Sequence, residues 1–346
     1  MSVRPVKAGT GLHRANRTRR LAYRAFGLAI ISDVEIPELP PLHDLRDGAR
    51  NRVHLHLLGP SRAIAEPAGW LNVSAYADGT PWLSTAKIDG GYLLRFPQLA
   101  DFTIDATGHD VTCIAAADGV TVVTLRHLAI DHVMPRVLNL LGIESLHATA
   151  VAAPIGAVAF IGEAGTGKST LAASFHLNGL ENFCDDCLVL HDEGVGGGGI
   201  VATPGYPGVR LWEDSFTALM SDAQPGPPVA QYTSKTRLLG DASTFRAERL
   251  PLARLYLLER PLPQSSADGA VGASPVIARV LPAEAFPVLV SASFPLDLTD
   301  YAMLTRHFRF IVRVAGSVPI RRLTIPNDFS ALPAVRAAVI ADLEAS

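Results

Sequence analysis

The stretch AVAFIGEAGTGKSTLAASF, residues 157–175, decides the fold. Residues 157–161 are all apolar and predict a buried strand, whereas Leu171 and Phe175 lie four apart, as on the buried face of a helix. Between these two segments, residues 162–169 match the pattern G-x-x-x-x-G-K-[S/T] at every fixed position. The sequence therefore predicts a strand, a glycine loop and a helix in that order.

Such a loop has the chemistry of a phosphate-binding site. Glycines permit positive φ and let backbone N–H groups surround phosphate oxygens, and the following helix adds its positive end. We expect Lys168 to reach the β- and γ-phosphates and the Ser169 hydroxyl to bind Mg²⁺, so the implied cofactors are ATP and Mg²⁺. The expected ATP-binding residues are Gly162, Glu163, Ala164, Gly165, Thr166, Gly167, Lys168, Ser169 and Thr170.

Length and composition restrict the class of protein. The 346 residues are enough for two domains, and the net charge of -3 gives no indication of a nucleic-acid partner. The charge-free run at residues 145–162 contains His147, Pro154 and Gly156, so we interpret it as two buried strands rather than a membrane span. Three cysteines cannot form a disulfide scaffold, and they fit a reducing cytoplasm.

The pattern of charged, apolar and turn residues divides the chain into three segments. Residues 1–20 predict a basic flexible tail, and residues 21–127 predict an antiparallel β-rich domain of short apolar runs separated by turns such as Asp89-Gly90-Gly91. Residues 128–346 alternate strands with helices, which is typical of an α/β layer. The strands predicted in the β-rich segment are Phe26–Ser32, Val53–Leu58, Tyr92–Phe96, Phe102–Asp105, Val111–Ala115 and Val120–Leu125.

Helices and strands of the α/β segment can be placed by their periodicity and their ends. Apolar residues from Ile130 to Leu141 recur at helical spacing, Gly142 ends that helix, and Pro135 predicts either a kink or a helix that begins there. The other predicted elements are strands at 145–151, 157–161, 182–191, 200–203, 255–259 and 320–325, and helices at 167–178 and 332–343.

A phosphoryl-transfer site also needs carboxylates, and two candidates exist. One is the pair Asp185-Asp186, and the other is Glu259 at the end of an apolar strand. Neighbouring side chains of an extended chain point to opposite faces, so only one aspartate could face the phosphate unless the strand ends between them. We expect Cys184 and Cys187, which flank the pair, to be packed thiols rather than half of a zinc site.

Basic residues further along the chain could contact phosphate or an acidic substrate. Arg210, Lys235 and Arg237 lie near loops, where an arginine aimed at the transferring phosphate can accelerate the reaction by several powers of ten. Ordinary surface charge is the alternative interpretation for all three.

The order and spacing of Ser145-Leu146-His147, the glycine loop and Asp185-Asp186 resemble the HPr kinase/phosphorylase family across residues 128–346. Members are P-loop kinases that phosphorylate a serine of a small carrier protein, and their fold is similar to that of phosphoenolpyruvate carboxykinase. The segment Tyr23–Leu39, with Phe26-Gly27-Leu28, further resembles HPr-kinase-like proteins encoded in lasso-peptide gene clusters. Those kinases modify a serine of the precursor peptide.

The resemblance implies roles for individual residues. One of Asp185 and Asp186 would be the base for the incoming hydroxyl and the other would lie nearer the metal, so Ser169 and Asp186 are the metal ligands we predict. His147 would lie beside the active site, and the aspartates are favoured over Glu259. Thr170 replaces an acid that is usual in the carrier kinases, Ala148 replaces a glycine, and no Glu-x-Arg-Gly loop is found. These departures weaken the expectation of a reverse phosphorylase reaction and of HPr as the acceptor.

The glycine loop and the resemblance together imply a cytoplasmic, Mg²⁺-dependent kinase that transfers the γ-phosphate of ATP to a serine hydroxyl of a peptide or small protein. The acceptor would be a lasso-peptide precursor or an HPr-like protein. Two alternatives stay open: a nucleotide-binding regulatory or scaffold protein with little turnover, and a small-molecule kinase. We expect no nucleic-acid or membrane partner, and a homo-oligomer remains open.

Overall fold

The computed structural model describes residues 20–44, 51–60, 64–194, 199–238, 244–261 and 274–345, so the predicted tail lies outside the described residues except for Arg20. The described chain is a mixed α/β structure, as predicted. Its strands are β1 (Leu21–Ala25), β2 (Leu28–Ser32), β3 (Arg52–Leu58), β4 (Asn72–Ala75), β5 (Pro81–Ile88), β6 (Gly91–Phe96), β7 (Ala100–Asp105), β8 (Asp110–Ala115), β9 (Glu144–Leu146), β10 (Thr149–Ala153), β11 (Gly156–Ile161), β12 (Glu181–Cys184), β13 (Leu188–Asp192), β14 (Ile200–Thr203), β15 (Val209–Leu211), β16 (Pro228–Ala230), β17 (Thr233–Leu238), β18 (Leu250–Glu259), β19 (Val276–Arg279) and β20 (Ile320–Thr324). Its α-helices are α1 (Val122–His127), α2 (Met134–Leu140), α3 (Lys168–His176), α4 (Glu213–Leu219), α5 (Pro282–Ser291), α6 (Tyr301–Ser317) and α7 (Leu332–Glu344).

The first sheet has eight strands in the order β1-β2-β3-β8-β7-β6-β5-β4. Most pairings in this sheet are antiparallel, as predicted, with one correction: β3 pairs in parallel with both β2 and β8. The connection from β2 to β3 spans residues 33–51, which is long enough to return the chain for a parallel pairing, and β8 follows β3 only after the β4–β7 meander. The turn predicted at Asp89-Gly90-Gly91 does join antiparallel neighbours, β5 and β6.

The segment predicted as a strand at Val120–Leu125 is instead the start of helical structure. The Thr121 hydroxyl accepts a hydrogen bond from the Thr124 N–H at 3.2 Å, so it caps α1. A π-helical segment follows at Leu128–Val133, and α2 then begins with Pro135 in its first turn. Proline is tolerated there because a first-turn N–H has no acceptor within the helix. The backbone stays helical across this boundary, since Val133 and Met134 keep right-handed helical dihedrals and the Met134 N–H donates to the Ala129 oxygen, so no separate helix begins at the proline.

The second sheet has nine strands, in the order β12-β10-β11-β18-β14-β13-β9, with β20 pairing with β18 and β19. Strands β11, β18 and β20 run parallel to one another, so their carboxyl ends meet at one edge. The long strands predicted at 145–151 and 182–191 are each divided in two, as β9 and β10 and as β12 and β13. The second division places a turn at the aspartate pair.

Helix α3 packs against β10, β11 and α7, and it begins directly after the glycine loop. One hydrophobic core joins the first sheet to α1, the π-helical segment and α2, and it also includes Tyr206 and Leu296 from later in the chain. A boundary between domains near residue 127 therefore remains a prediction. Of the helices in the described part of the chain, none is long and apolar enough to cross a bilayer.

Candidate active site

The glycine loop joins β11 to α3 through two residues with positive φ, Gly165 at 81° and Gly167 at 99°. A Cβ on Gly162 would lie 2.8 Å from the Thr166 hydroxyl oxygen and 2.9 Å from the backbone oxygen of Leu258. Gly162 therefore leaves no space for a side chain, and the other two glycines adopt a conformation that disfavours one. The requirement for glycine at these positions is a consequence of the backbone path.

Lys168 begins α3 and folds back over the loop. Its Nζ donates hydrogen bonds to the backbone oxygens of Gly162 at 2.8 Å and of Glu163 at 3.1 Å. Burial lowers the pKa of Lys168, and the negative charges of Asp186 and Asp185 oppose that shift. The ammonium group is thus held at the loop by its own carbonyls and lies within the field of two carboxylates.

A cavity of about 800 Å³ opens above this loop, a size typical of small-molecule and nucleotide sites. The loop and the start of α3 contribute Ala164, Gly165, Gly167, Lys168, Ser169 and Thr170 to its lining. Charged and polar residues at one end are Asp186, His147, His132, Arg210 and Lys235. The cavity therefore brings together most of the side chains that the sequence analysis selected.

Asp185 is buried, and each of its carboxylate oxygens accepts two hydrogen bonds from the protein. Oδ1 accepts from the Ser169 and Thr149 hydroxyls, both at 2.9 Å. Oδ2 accepts from the backbone N–H of Arg210 at 2.8 Å and from its Nε at 3.2 Å. Asp185 thus ties the start of α3 to β15 and is not among the described residues that line the cavity.

Asp186 has different surroundings from Asp185, because the chain turns at this pair and brings Asp186 to the cavity. Strand β12 ends at Cys184, and Asp186 has a φ of 62°, in the left-handed region that Asp and Asn tolerate best after glycine. Its Oδ1 lies 3.8 Å from His147 Nε2, and its Oδ2 lies 3.5 Å from an Arg210 amino group. Burial would raise the pKa of Asp186, but Arg210, followed by His147 and Lys235, lowers it to about 2.

His147 faces Asp186 from the segment between β9 and β10. Its backbone N–H donates to the Ala292 oxygen at 2.5 Å, and its ring packs edge-on to Phe294 with the ring centroids 5.9 Å apart. Burial lowers the pKa of His147, Lys168 lowers it further, and Asp186 opposes both. The imidazole is therefore neutral near pH 7 and can donate or accept a hydrogen bond beside the carboxylate.

Arg210 is 2% exposed and holds a group of buried polar residues together. Its guanidinium donates to Asp131 Oδ1 at 2.5 Å and to the Tyr206 hydroxyl, and the Tyr206 hydroxyl in turn donates to Asp131. It also donates to the backbone oxygen of Asp185 at 2.9 Å. We call Asp131, Asp185, Asp186, Tyr206 and Arg210 the carboxylate corner. Sequence analysis missed Asp131, Tyr206 and Thr149, because no spacing rule connects them to the aspartate pair.

Lys235 and Arg237 lie two residues apart on β17, yet only Lys235 lines the cavity among the described residues. Its ammonium lies over the Trp212 ring, 5.3 Å from the centroid. The Arg237 guanidinium instead lies over Tyr206, 5.4 Å from that centroid. Lys235 and Arg237, which the sequence analysis gave the same candidate role, are therefore in different surroundings.

The other residues that the sequence analysis singled out are Glu259, Thr170 and the two cysteines. Glu259 is half exposed and accepts a hydrogen bond from Arg322 Nε at 3.0 Å, and it too lies outside the described cavity lining. The Thr170 hydroxyl donates to the Ser215 hydroxyl at 3.0 Å. Cys184 and Cys187 are buried free thiols, as predicted. Across the described ranges, no three His, Cys, Asp or Glu side chains are grouped so as to hold a metal ion by themselves.

Arg260 lines the cavity as well, and the sequence analysis missed it. It follows β18, and one amino group donates to the Pro326 backbone oxygen at 2.7 Å. A Cβ on Gly167 would lie 3.3 Å from its other amino group, so the guanidinium lies directly against the glycine loop. Part of the signal was in the sequence, because Arg260 directly follows the strand predicted at 255–259, but the pairing of that strand with β11 is seen only in the fold.

No protein-family model matches the chain, and no curated protein matches it. Among solved structures, it is similar to the Hpr(Ser) kinase/phosphatase from Coxiella burnetii, with 12% sequence identity and a TM-score of 0.27. The likeness covers 58% of this chain and 97% of that chain. A likeness this weak carries no weight for function, which depends on the geometry of the site.

Proposed function

We propose that the protein is a P-loop kinase that uses ATP and Mg²⁺ to phosphorylate a serine hydroxyl of a peptide or small protein. One observation carries the proposal: a single cavity of about 800 Å³ is lined by the glycine loop, Lys168 and Ser169 and also by Asp186. Phosphoryl transfer needs both a phosphate-binding element and a carboxylate within one site.

The residues present fit a triphosphate. Gly165 and Gly167 line the cavity without side chains, and the first N–H groups of α3 have no acceptor within the helix. Lys168 exchanges its two carbonyl partners for phosphate oxygens as the ligand enters. The loop and the ammonium group then hold the phosphates in position and neutralise charge, which is most of what this reaction requires from a protein.

The residues also fit a magnesium ion. Mg²⁺ usually takes one or two protein ligands and completes its shell with phosphate oxygens and water. The Ser169 hydroxyl donates its proton to Asp185, which leaves its lone pairs free to bind a cation. Bound there, Mg²⁺ would supply further neutralisation of the phosphate charge. Asp185 thus acts on the metal site by orienting Ser169.

Asp186 is the residue we assign as proton acceptor. Both oxygens of Asp185 are occupied within the protein, whereas Asp186 lines the cavity and has a pKa of about 2, so it is ionised at neutral pH. We therefore assign Asp186 as the base and Asp185 as the residue nearer the metal, in place of the expectation from sequence that Asp186 is a metal ligand. His147, neutral and 3.8 Å away, can orient the Asp186 carboxylate or the incoming hydroxyl.

The acceptor class rests on the resemblance of the site motifs to kinases that phosphorylate serine on small proteins and precursor peptides. A cytoplasmic location is proposed with it, and the buried thiols Cys113, Cys184 and Cys187 are all free, as a reducing compartment would keep them.

The test is transfer of label from γ-³²P-ATP, with Mg²⁺, to a serine-containing precursor peptide encoded beside the gene. We expect label on the peptide with the natural protein and none with Lys168→Ala. Lys87→Ala is the control, since Lys87 is exposed and pairs with Asp297 outside the cavity lining.

A serine-to-alanine peptide should remain unlabelled. Binding of Mg·ATP with no transfer to any hydroxyl-bearing acceptor would instead indicate a regulatory protein with little turnover. Absence of Mg·ATP binding would overturn the proposal entirely.

A further inference from the structure

The cavity extends beyond the glycine loop, away from the carboxylate corner. Strands β11, β18 and β20 are parallel, so the segments that follow them meet at one edge of the sheet. These segments are the glycine loop, Arg260 and the residues from Ile325 onward. The loop therefore lies between two different groups of residues, one on each side.

The side toward β20 is predominantly apolar. Its contributions to the cavity lining are Ile325, Pro326, Asn327, Asp328, Phe329, Leu332 and Val335. By contrast, the opposite end carries Asp186 and Arg210 of the carboxylate corner, together with Lys235. A ligand that spans the loop would thus meet several charged groups at one end and a mostly apolar surface, with Asn327 and Asp328 as its polar residues, at the other.

Phe329 is the aromatic side chain at this apolar end, and it is 40% exposed. Its backbone is held in place, because Asp328 Oδ1 accepts a hydrogen bond from the Ser330 N–H at 2.9 Å and caps the 3-10 turn Phe329–Ala331. A fixed, partly exposed ring that lines a cavity can stack against a planar ligand at little entropic cost.

Arg260 lies between the loop and this apolar end. Its hydrogen bond to the Pro326 oxygen at 2.7 Å fixes the guanidinium beside Gly167. A fixed cation at this position can contact the phosphate or sugar of a ligand whose terminal phosphates occupy the loop. The order along the cavity is therefore carboxylate corner, glycine loop, arginine, apolar end.

We propose that the apolar end formed by Ile325, Phe329, Leu332 and Val335 binds the aromatic base of a nucleoside triphosphate, with Arg260 beside the sugar and inner phosphate. The proposal rests on the proposed function, since it assumes a triphosphate at the loop. It also sets the direction of the nucleotide: the base lies toward β20, and the γ-phosphate lies toward Asp186.

The experiment compares two ligands by calorimetry, Mg·ATP and Mg·tripolyphosphate, which has the phosphates without the nucleoside. The natural protein should bind ATP more tightly than tripolyphosphate. Phe329→Ala should weaken ATP binding about tenfold or more, the effect expected for loss of base–aromatic stacking, and should leave tripolyphosphate binding unchanged. Phe308→Ala is the matched control, because Phe308 is 41% exposed and packs on Phe286, outside the described cavity lining. It should change neither affinity.

The outcomes separate the two proposals. If the natural protein binds neither ligand, the proposed function fails. If it binds both ligands equally well, the loop binds phosphate but the apolar end is not a base site. Unchanged ATP binding in Phe329→Ala, or equal weakening of both ligands, would also overturn the assignment. The comparison of ligands on the natural protein needs no variant, so it decides the question even if Phe329→Ala does not fold.

Discussion

The glycine loop and the carboxylate corner face the same cavity but are built in opposite ways. The loop is one continuous segment, residues 162–169, whose chemistry comes from backbone N–H groups and one lysine. The corner draws Asp131, Asp185 and Arg210 from distant parts of the chain, and its chemistry comes from buried side chains. A local motif can therefore define the first region, while only the complete fold can define the second.

This difference implies that the loop and the corner respond differently to substitutions. The loop is fixed by its own backbone path, so substitutions elsewhere should leave its shape intact. The corner depends chiefly on Arg210, which offsets the burial of Asp131 and Asp185, while His127 Nδ1 lies 2.5 Å from the other Asp131 oxygen. Because an unpaired buried charge is costly, the corner should be the more fragile of the two.

The largest expected effect is on stability and comes from Arg210→Leu. This change leaves Asp131 and Asp185 buried without their guanidinium, so we expect a loss of about 3–5 kcal/mol in the free energy of unfolding. Urea unfolding measures it. Arg237→Leu is the matched control, since Arg237 loses only its contact with the Tyr206 ring and should cost about 1 kcal/mol or less. Equal losses in both variants would contradict the distinction between the corner and ordinary basic residues.

Asp186→Asn should lower the rate of phosphoryl transfer about 100-fold, because the amide cannot accept the hydroxyl proton. The Kd for Mg·ATP should change little, since the loop is untouched. Single-turnover transfer and calorimetry measure the two quantities separately. Glu259→Gln removes a carboxylate that pairs with Arg322 outside the described cavity lining, and it should leave both unchanged. Transfer at the natural rate in Asp186→Asn would exclude Asp186 as the base.

Asp185→Asn should raise the Mg²⁺ concentration needed for half-maximal transfer about tenfold, as expected when a residue that orients a metal ligand is altered. The measurement is a Mg²⁺ titration at saturating ATP. Thr149→Val removes a second donor to the same Asp185 oxygen but leaves the Ser169 contact, so it should shift the titration much less. A titration midpoint that Asp185→Asn does not move would refute the link through Ser169.

The last prediction concerns the pH dependence of stability. Burial, with a further contribution from His127, lowers the pKa of His132 to about 3, well below the value near 6.5 of an exposed histidine. The unfolded chain then binds a proton that the folded chain does not, so this contribution to stability is present above pH 6.5 and is lost as the pH falls toward 3. Its slope is at most about 1.4 kcal/mol per pH unit. Urea unfolding at pH 7 and pH 5 should show a smaller loss for His132→Gln than for the natural protein, and identical losses would contradict this explanation.

Local signals predicted the elements around the loop closely. The strand predicted at 157–161 is β11 at Gly156–Ile161, and the strand predicted at Ile200–Thr203 agrees with β14. Val120–Leu125 was mistaken for a strand because its β-branched residues favour strands, whereas the Thr121 cap and the packing of Leu125 in the core favour a helix.

Local signals could not predict the carboxylate corner or the apolar end of the cavity. Arg210 was selected as a phosphate contact, but its partner Asp131 lies 79 residues away in sequence and the pair forms only when β15 packs against the π-helical segment. Phe329 follows a short strand whose parallel pairing with β18 could not be deduced from its own residues. Pairing between distant strands, rather than local propensity, decides which side chains share this site.

The left-handed backbone at Asp186 restricts which amino acids that position can hold. At a φ of 62°, aspartate, asparagine and glycine are accommodated with little strain, and a β-branched or bulky residue is not. Related chains that keep this bend should therefore vary only among those three. A relative carrying asparagine or glycine there would retain the shape of the pocket and lose its negative charge. If the proposed function holds, that single residue would identify a protein that binds the nucleotide but does not transfer its phosphate.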